Sequence, residues 1–275
     1  MSHARHSPLG RASSYAEHYD AGLLFPIPRA DKRAELGLAA ALPFHGVDVW
    51  NAYELSWLDP RGKPHVALAE FRIPAASPHI VESKSFKLYL NSYTQTVLRD
   101  AAELQQRLQR DLAAATGAAV DVRLTGPQGF AAQRLAEPAG ECIDDLDIAI
   151  DHYGPPQPAF LTADADVTAE ESLRSNLLKS NCPVTGQPDW ASVHLRYRGP
   201  RIDRVGLLRY LVGFREHAGF HEQCVEQIFL DLLQRCRPAQ LSVEARYTRR
   251  GGLDINPWRA TPGCTAPPAL RDLRQ

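Results

Sequence analysis

Between residues 153 and 158 the chain reads Tyr153-Gly-Pro-Pro-Gln-Pro158, three prolines and a glycine in six positions. A proline ring removes a backbone donor and collides with the preceding helical turn, so this stretch continues no helix and fits no central strand. It is the clearest punctuation in the 275 residues and predicts two modules, residues 1–152 and 159–275. Each is long enough to bury a core of its own.

Each part reads as a hairpin followed by helix and strand. In the first, Val47, Val49, Asn51, Tyr53, Leu55 and Trp57 alternate onto one face of an extended segment. The turn Asp59-Pro-Arg-Gly62 leads into a second extended run, Val66 to Ile73. Val97, Ala101, Leu104, Leu108 and Leu112 recur at helical spacing, Gly117 is placed to end that helix, and Val120-Asp-Val-Arg-Leu124 alternates again. In the second part Val193, Leu195 and Tyr197 alternate with His194, Arg196 and Arg198. Residues 204–215 read as helix, and Val225, Ile228, Phe229, Leu232 and Leu233 mark another. After Pro238, Leu241, Val243, Ala245 and Tyr247 interleave with Ser242, Glu244 and Arg246 as a strand. The class is α+β, with antiparallel sheets and helices packed on one face. The likeness of the two parts is architectural, without a residue-by-residue repeat.

The formal net charge is −1 and arginines are scattered among acids, which argues against nucleic-acid binding through a clustered basic surface. Met1-Ser-His-Ala-Arg-His-Ser-Pro8 has no apolar stretch behind its basic residues, so no signal peptide is expected. No run of apolar residues is long enough to span a bilayer. The five cysteines, 142, 182, 224, 236 and 264, are odd in number and lack a C-x-x-C pair, which fits a cytoplasmic protein with buried thiols and neither a disulfide scaffold nor a zinc knuckle. A Gly-x-Gly-x-x-Gly after a strand is missing, so a nicotinamide cofactor would have to be held without the Rossmann fingerprint.

Four segments carry residues with chemistry. In Ser180-Asn-Cys-Pro-Val-Thr-Gly-Gln-Pro-Asp-Trp190 a stiff loop holds Cys182 seven residues before Asp189. A thiol beside a proton-donating carboxyl group can add sulfur to an electrophilic carbon and protonate the developing anion. The same residues would also suit a small buried thiol and a turn aspartate. In Val81-Glu-Ser-Lys-Ser-Phe-Lys-Leu-Tyr-Leu-Asn-Ser-Tyr93, Lys84 and Lys87 stand among hydroxyls and rings, a set suited to phosphates and a flat heterocycle, or to a solvated helix start. In Gly213-Phe-Arg-Glu-His-Ala-Gly-Phe-His-Glu222, the Glu222 carboxylate could accept paired bonds from a guanine-like edge and His221 could relay a proton. The alternative is a helix-capping segment. Arg249-Arg-Gly-Gly-Leu-Asp-Ile-Asn-Pro-Trp-Arg259 brings cations and glycine backbone together, as a phosphate site or as a surface turn.

Taken together these segments resemble the 7-cyano-7-deazaguanine reductase family of the queuosine pathway. Glu82–Tyr93 is similar to its signature motif, Cys-Pro-Val-Thr-Gly-Gln-Pro-Asp at 182–189 to its catalytic loop, and Phe220-His-Glu222 to its substrate-binding segment. The signature precedes the cysteine, as in the family's long, two-module branch. The resemblance implies two tandem tunnelling-fold modules and a homodimer. It implies that Cys182 adds to a nitrile to form a thioimide, with Asp189 as proton donor and His221 beside it. It further implies that Val81, Glu82, Ser83, His221 and Glu222 bind the deazaguanine, and that Ser83, Lys84, Arg250 and Gly251 contact NADPH, with no metal. Two other readings compete: a zinc-dependent tunnelling-fold cyclohydrolase using Cys182, His217, His221 and Cys224, and a nonenzymatic purine-binding module.

Overall fold

The alternation of the first hairpin becomes regular structure in a computed structural model that describes residues 15–16, 18–38, 41–268 and 270–275. Contacts divide it into two units. The first holds the described residues up to Leu42 together with Val47–Gln133 and Arg249–Asp254; the second holds Pro43–Gly46, Arg134–Thr248 and Ile255–Gln275.

The first unit contains β1 (Pro26–Pro28), α1 (Arg29–Glu35), β2 (His45–Leu58), β3 (Pro64–Pro74), β4 (His79–Val81), α2 (Ser83–Asn91), α3 (Ala101–Thr116) and β5 (Asp121–Thr125). The order β5-β3-β2 is antiparallel throughout, and β1 pairs antiparallel with β4. The Asp59 turn closes the β2–β3 hairpin through Gly62 N–H to Asp59 C=O at 2.9 Å, with Gly62 at φ +79° where a side chain would be strained.

The pleat of β2 differs from the simple alternation. A bulge between Ala52 and Leu55 sets one extra residue against β3, so Trp50 and Ala52 are buried with Leu55 and Trp57. Val47, Val49, Asn51 and Tyr53 lie on the other phase and are only half-buried. An unpaired residue in a ladder of period two exchanges the faces, which no count along one strand reveals. Against the buried face Phe86 of α2 meets the Trp50 and Phe71 rings edge-on, at 5.3 and 5.0 Å between centroids. Leu104, Leu108 and Leu112 of α3 are fully buried, as their spacing requires. Val97 does not join them: Asp100 caps the helix by accepting from Glu103 N–H at 2.8 Å, leaving Val97 outside and exposed.

The second unit contains β6 (Glu141–Cys142), β7 (Ala163–Asn181), β8 (Pro188–Ile202), α4 (Arg204–Val212), α5 (His221–Cys236), β9 (Gln240–Tyr247) and β10 (Leu253–Ala260), whose first two residues belong to the first unit. β10, β9, β8 and β7 follow one another antiparallel, and β6 adds to β7 in parallel. Leu207 and Leu211 of α4 and Ile228 and Leu232 of α5 pack with Leu173, Val193, Leu195 and Val243 of the sheet. The helix over 204–215 ends as α-helix at Val212 and tightens into a 3-10 turn, Gly213–Glu216.

On the other face of β9 the C-terminal segment lies close. Arg246 Nη2 donates to Pro268 C=O at 3.1 Å, and Gln275 Nε2 donates to Tyr247 C=O at 3.1 Å. The polar residues Ser242, Glu244 and Arg246 are therefore as buried as the apolar ones between them. The Tyr153–Pro158 stretch packs within this unit, where Glu216 N–H donates to Tyr153 C=O at 3.0 Å. No helix among the described residues is long and apolar enough to cross a membrane.

Candidate active site

β7 and β8 form a long hairpin whose tip is the cysteine loop. Ser180 stands opposite Asp189 and Asn181 opposite Pro188 in its register. Cys182 N–H then donates to Gln187 C=O at 2.9 Å, and Gly186 N–H to Cys182 C=O at 3.0 Å. Gly186 carries φ +70°, the left-handed conformation that lets the five residues after Cys182 turn back. The hairpin thereby returns Asp189 to the neighbourhood of the cysteine, and both side chains are buried.

The 213–220 loop and the first turn of α5 supply the remaining polar groups. His221 Nε2 lies 3.3 Å from Asp189 Oδ2, and its ring stacks on Tyr247 at 3.8 Å between centroids and 11° between planes. Glu222 follows in the first turn of α5, buried, where the positive end of the helix favours a carboxylate. The helix is opened by Phe220 N–H donating to the Gln223 side chain at 3.2 Å. Cys182, Asp189, His221 and Glu222 are thus carried by three features of the second unit: the β7–β8 hairpin tip, the start of β8 and the start of α5.

The thiols differ in chemistry. Cys224 sits below this cluster, approached by the hydroxyls of Ser180 and Tyr247; burial, with the nearby Asp189 and Glu222 charges, pushes its thiol up to about 12. Burial likewise pushes Cys236 up to about 11. Both are therefore protonated thiols at neutral pH, poor nucleophiles by that measure. All five cysteines are free. Among the described residues no group of three or more histidine, cysteine, aspartate or glutamate side chains is arranged to hold a metal.

The cation-bearing motifs meet in the first unit. Val81 ends β4, paired with Pro26, and is buried. Glu82 caps α2, its two oxygens accepting from Lys84 N–H at 2.7 Å and Ser85 N–H at 2.8 Å. Burial raises its carboxyl above the ordinary range, opposed by those two donors and by the charges of Lys87 and Lys84. Ser83 and Lys84 open α2 and are half-buried. Arg250 and Leu253 exchange backbone bonds of 2.8 and 3.3 Å around Gly251 and Gly252, whose φ values of +59° and +79° give the tight turn that only glycine adopts without strain. A Cβ on Gly251 would lie 3.2 Å from Lys87 Cδ, so the turn rests directly on that lysine stem. The binding residues suggested for the heterocycle are divided: Val81, Glu82 and Ser83 belong to the first unit, His221 and Glu222 to the second.

Several participants carried no assigned role in the motifs. Ser180, Tyr247 and Cys224 form the floor under Asp189 and His221. Tyr247 reads as one more alternating strand residue, and nothing local marks its ring as the platform for His221. Arg249 places its guanidinium 4.9 Å from the Tyr53 ring centroid, and Tyr53 and Asn51 both donate to the buried Asp254 carboxylate. The Arg-Arg-Gly-Gly pattern was the available signal for that turn, and its side-chain partners come from β2, far away in sequence.

Two family models match the chain: one described as nitrile reductase, 7-cyano-7-deazaguanine-reductase N-term, over residues 15–124, and one described as QueF-like protein over residues 188–264. The NADPH-dependent 7-cyano-7-deazaguanine reductase of Chromobacterium violaceum is 61% identical over 273 residues, covering 98% of this chain and 97% of the relative. That of Stenotrophomonas maltophilia is 62% identical over 278 residues and covers 100% of both. That of Bordetella avium is 59% identical over 269 residues, 98% of each. With two tandem modules of antiparallel sheet and flanking helices, and with likeness of this extent along its whole length, the chain belongs to the 7-cyano-7-deazaguanine reductase family of nitrile reductases.

Proposed function

We propose that Cys182 is the covalent nucleophile in the NADPH-dependent reduction of 7-cyano-7-deazaguanine to its aminomethyl form. The reaction itself, a step of queuosine biosynthesis, is carried by full-length identity of about three residues in five to relatives of that name. The residue roles rest on one observation: the hairpin tip and the start of α5 set Cys182, Asp189, His221 and Glu222 into one region of the second unit.

In this reading the Cys182 sulfur bonds to the nitrile carbon as its proton passes to His221, and Asp189 supplies a proton to the nitrile nitrogen. The product is a thioimide, whose carbon accepts hydride far more readily than a nitrile does. His221, beside Asp189, restores that proton. Glu222 holds the donor edge of the heterocycle, and the likeness of Val81, Glu82 and Ser83 to the family's signature motif is the ground for reading them as substrate-binding residues of the first unit. After the first reduction the C–S bond breaks and the resulting imine stays bound, shielded from water, until the second.

The residues of the first unit fit a nicotinamide dinucleotide phosphate. Lys84 and Arg250, with Lys87 packed against the glycine turn at Gly251, form a cationic donor set suited to phosphates. Ser83, Lys84, Arg250 and Gly251 would hold it. When bound it supplies hydride.

The same proposal takes the protein as a cytoplasmic homodimer acting on a free heterocycle, with neither nucleic acid nor membrane as partner. Its modules are residues 1–152, which carry the signature motif, and residues 159–275, which carry the cysteine. Incubation with 7-cyano-7-deazaguanine and NADPH, followed by cofactor absorbance and product mass, tests it. Appearance of the aminomethyl product by wild type but not by Cys182→Ala supports the reading, and turnover by Cys182→Ala overturns the nucleophile.

A further inference from the structure

The 213–220 loop delivers His221 and Glu222, and it is tied to the residue immediately before the nucleophile. Asn181 N–H donates to His217 C=O at 2.8 Å, and Asn181 C=O accepts from Gly219 N–H at 3.1 Å. Its side chain adds Nδ2 to Arg215 C=O at 3.1 Å and, more weakly, to His217 C=O at 3.4 Å. Lys179 Nζ donates to the same Arg215 C=O at 2.6 Å and to Asn181 Oδ1 at 2.7 Å, so the ammonium orients the amide. The Arg215 guanidinium in turn lies 5.6 Å from the Trp190 ring centroid, and Trp190 follows Asp189 in β8.

These contacts have a consequence for geometry. Lys179 and Asn181 lie on β7, Trp190 on β8, and all three grip one short loop from the strands that carry Cys182 and Asp189. A charge-assisted bond from Lys179 and an amide with both ends engaged give the loop little freedom. Resting on the assignment of Cys182, Asp189, His221 and Glu222 above, we infer that Asn181, oriented by Lys179, is a positioning residue that sets the start of α5 against the cysteine hairpin. Neither side chain donates a proton or forms a bond in the reaction. Their role is to hold groups that do within the tolerance the chemistry demands, where a displacement near 1 Å costs on the order of a hundredfold.

Asn181→Ala tests this, because its backbone bonds to His217 and Gly219 survive and only the side-chain ties are lost. Expected are a fall in kcat and in the rate of Cys182 adduct formation with the nitrile of about ten- to a hundredfold, with the KM for NADPH unchanged. Lys179→Met should show a smaller fall in the same two quantities, and Lys179→Arg, which keeps a cationic donor, should restore most of it. Leu207→Ala, a buried residue of α4 outside these contacts, serves as a control that loses thermal stability without the kcat loss. Asn181→Ala turning over within twofold of wild type would overturn the inference, as would equal loss in Lys179→Met and Lys179→Arg. If Asn181→Ala does not fold, the two lysine variants decide alone. Cys182→Ala is assayed in parallel: retained turnover there refutes the site assignment, whereas its loss beside an active Asn181→Ala refutes only the positioning role.

Discussion

His221 presents Nε2 to the Asp189 carboxylate at 3.3 Å while its ring lies flat on Tyr247. The stacking fixes the plane of the imidazole and the carboxylate fixes its direction, so the pair has one arrangement available rather than several. Both contacts are made within the protein itself. Asp189→Asn keeps the shape and removes the transferable proton. It should lower kcat by about 10²–10⁴-fold, the span associated with positioned acid–base groups. His221→Phe, which preserves stacking on Tyr247 but loses Nε2, should also lose kcat. Steady-state kinetics on both variants checks this, and wild-type kcat in Asp189→Asn would exclude it as the proton donor.

Thiol chemistry should be confined to one cysteine. Cys224 and Cys236 are held protonated by burial, up to about 12 and 11. Incubation with the nitrile and no NADPH should yield a single adduct, mapped by peptide mass spectrometry to Cys182. Cys182→Ala should remove the adduct and reduce turnover by several orders of magnitude, as expected for loss of a covalent nucleophile. An adduct on Cys142, Cys224, Cys236 or Cys264 would contradict the assignment.

Cofactor choice should follow the cations of the first unit. Lys84→Ala and Arg250→Ala should weaken NADPH more than NADH, because only the former carries the additional phosphate. Gly251→Ala places a side chain at φ +59°, with its Cβ 3.2 Å from Lys87 Cδ, and should raise the KM for NADPH while leaving nitrile affinity unchanged. Nitrile to amine is a four-electron change, so two NADPH should be consumed per amine. Titration calorimetry and product stoichiometry provide the measurements; one NADPH per amine would refute the scheme.

Stability should fall in mild acid because of His194. Burial, followed by the nearby Arg196 charge and those of Arg246 and Arg174, lowers its imidazolium pKa to about 4. The unfolded chain therefore takes up a proton near pH 6.5 that the folded chain refuses until about 4. The contribution is fully present above about 6.5 and is lost as pH falls through that window, to a total on the order of 3 kcal/mol. Glu244, raised by burial, works in the opposite direction, so the comparison is made against a variant. Urea unfolding from pH 7.5 to 4.5 should show a shallower decline in His194→Gln than in wild type. Parallel declines would remove His194 as the cause.

The sequence by itself determined the periodic elements and the chemistry of the motifs. Leu104, Leu108 and Leu112 had to share a helix face, and Gly117 with φ +73° ends that helix. Gly186 with φ +70° allows the sharp turn after Cys182, and Asp189 lies near the cysteine if that turn folds the loop back, as the β7–β8 register does. Residue types, spacing and turn chemistry act within a few positions, and that range is what one chain's order of residues displays. Tertiary structure alone decided the rest. The bulge after Ala52 reversed the phase of β2 because a strand's register is set by its partner. Ser242, Glu244 and Arg246 became buried because the segment around Pro268 and Gln275 covers their face, a meeting of residues some twenty to thirty positions apart. Tyr247 became the seat of His221, and Asn181 the tie to the 213–220 loop, because folding brought β9 and β7 to the start of α5. Such contacts depend on packing in three dimensions, and sequence spacing carries no trace of them.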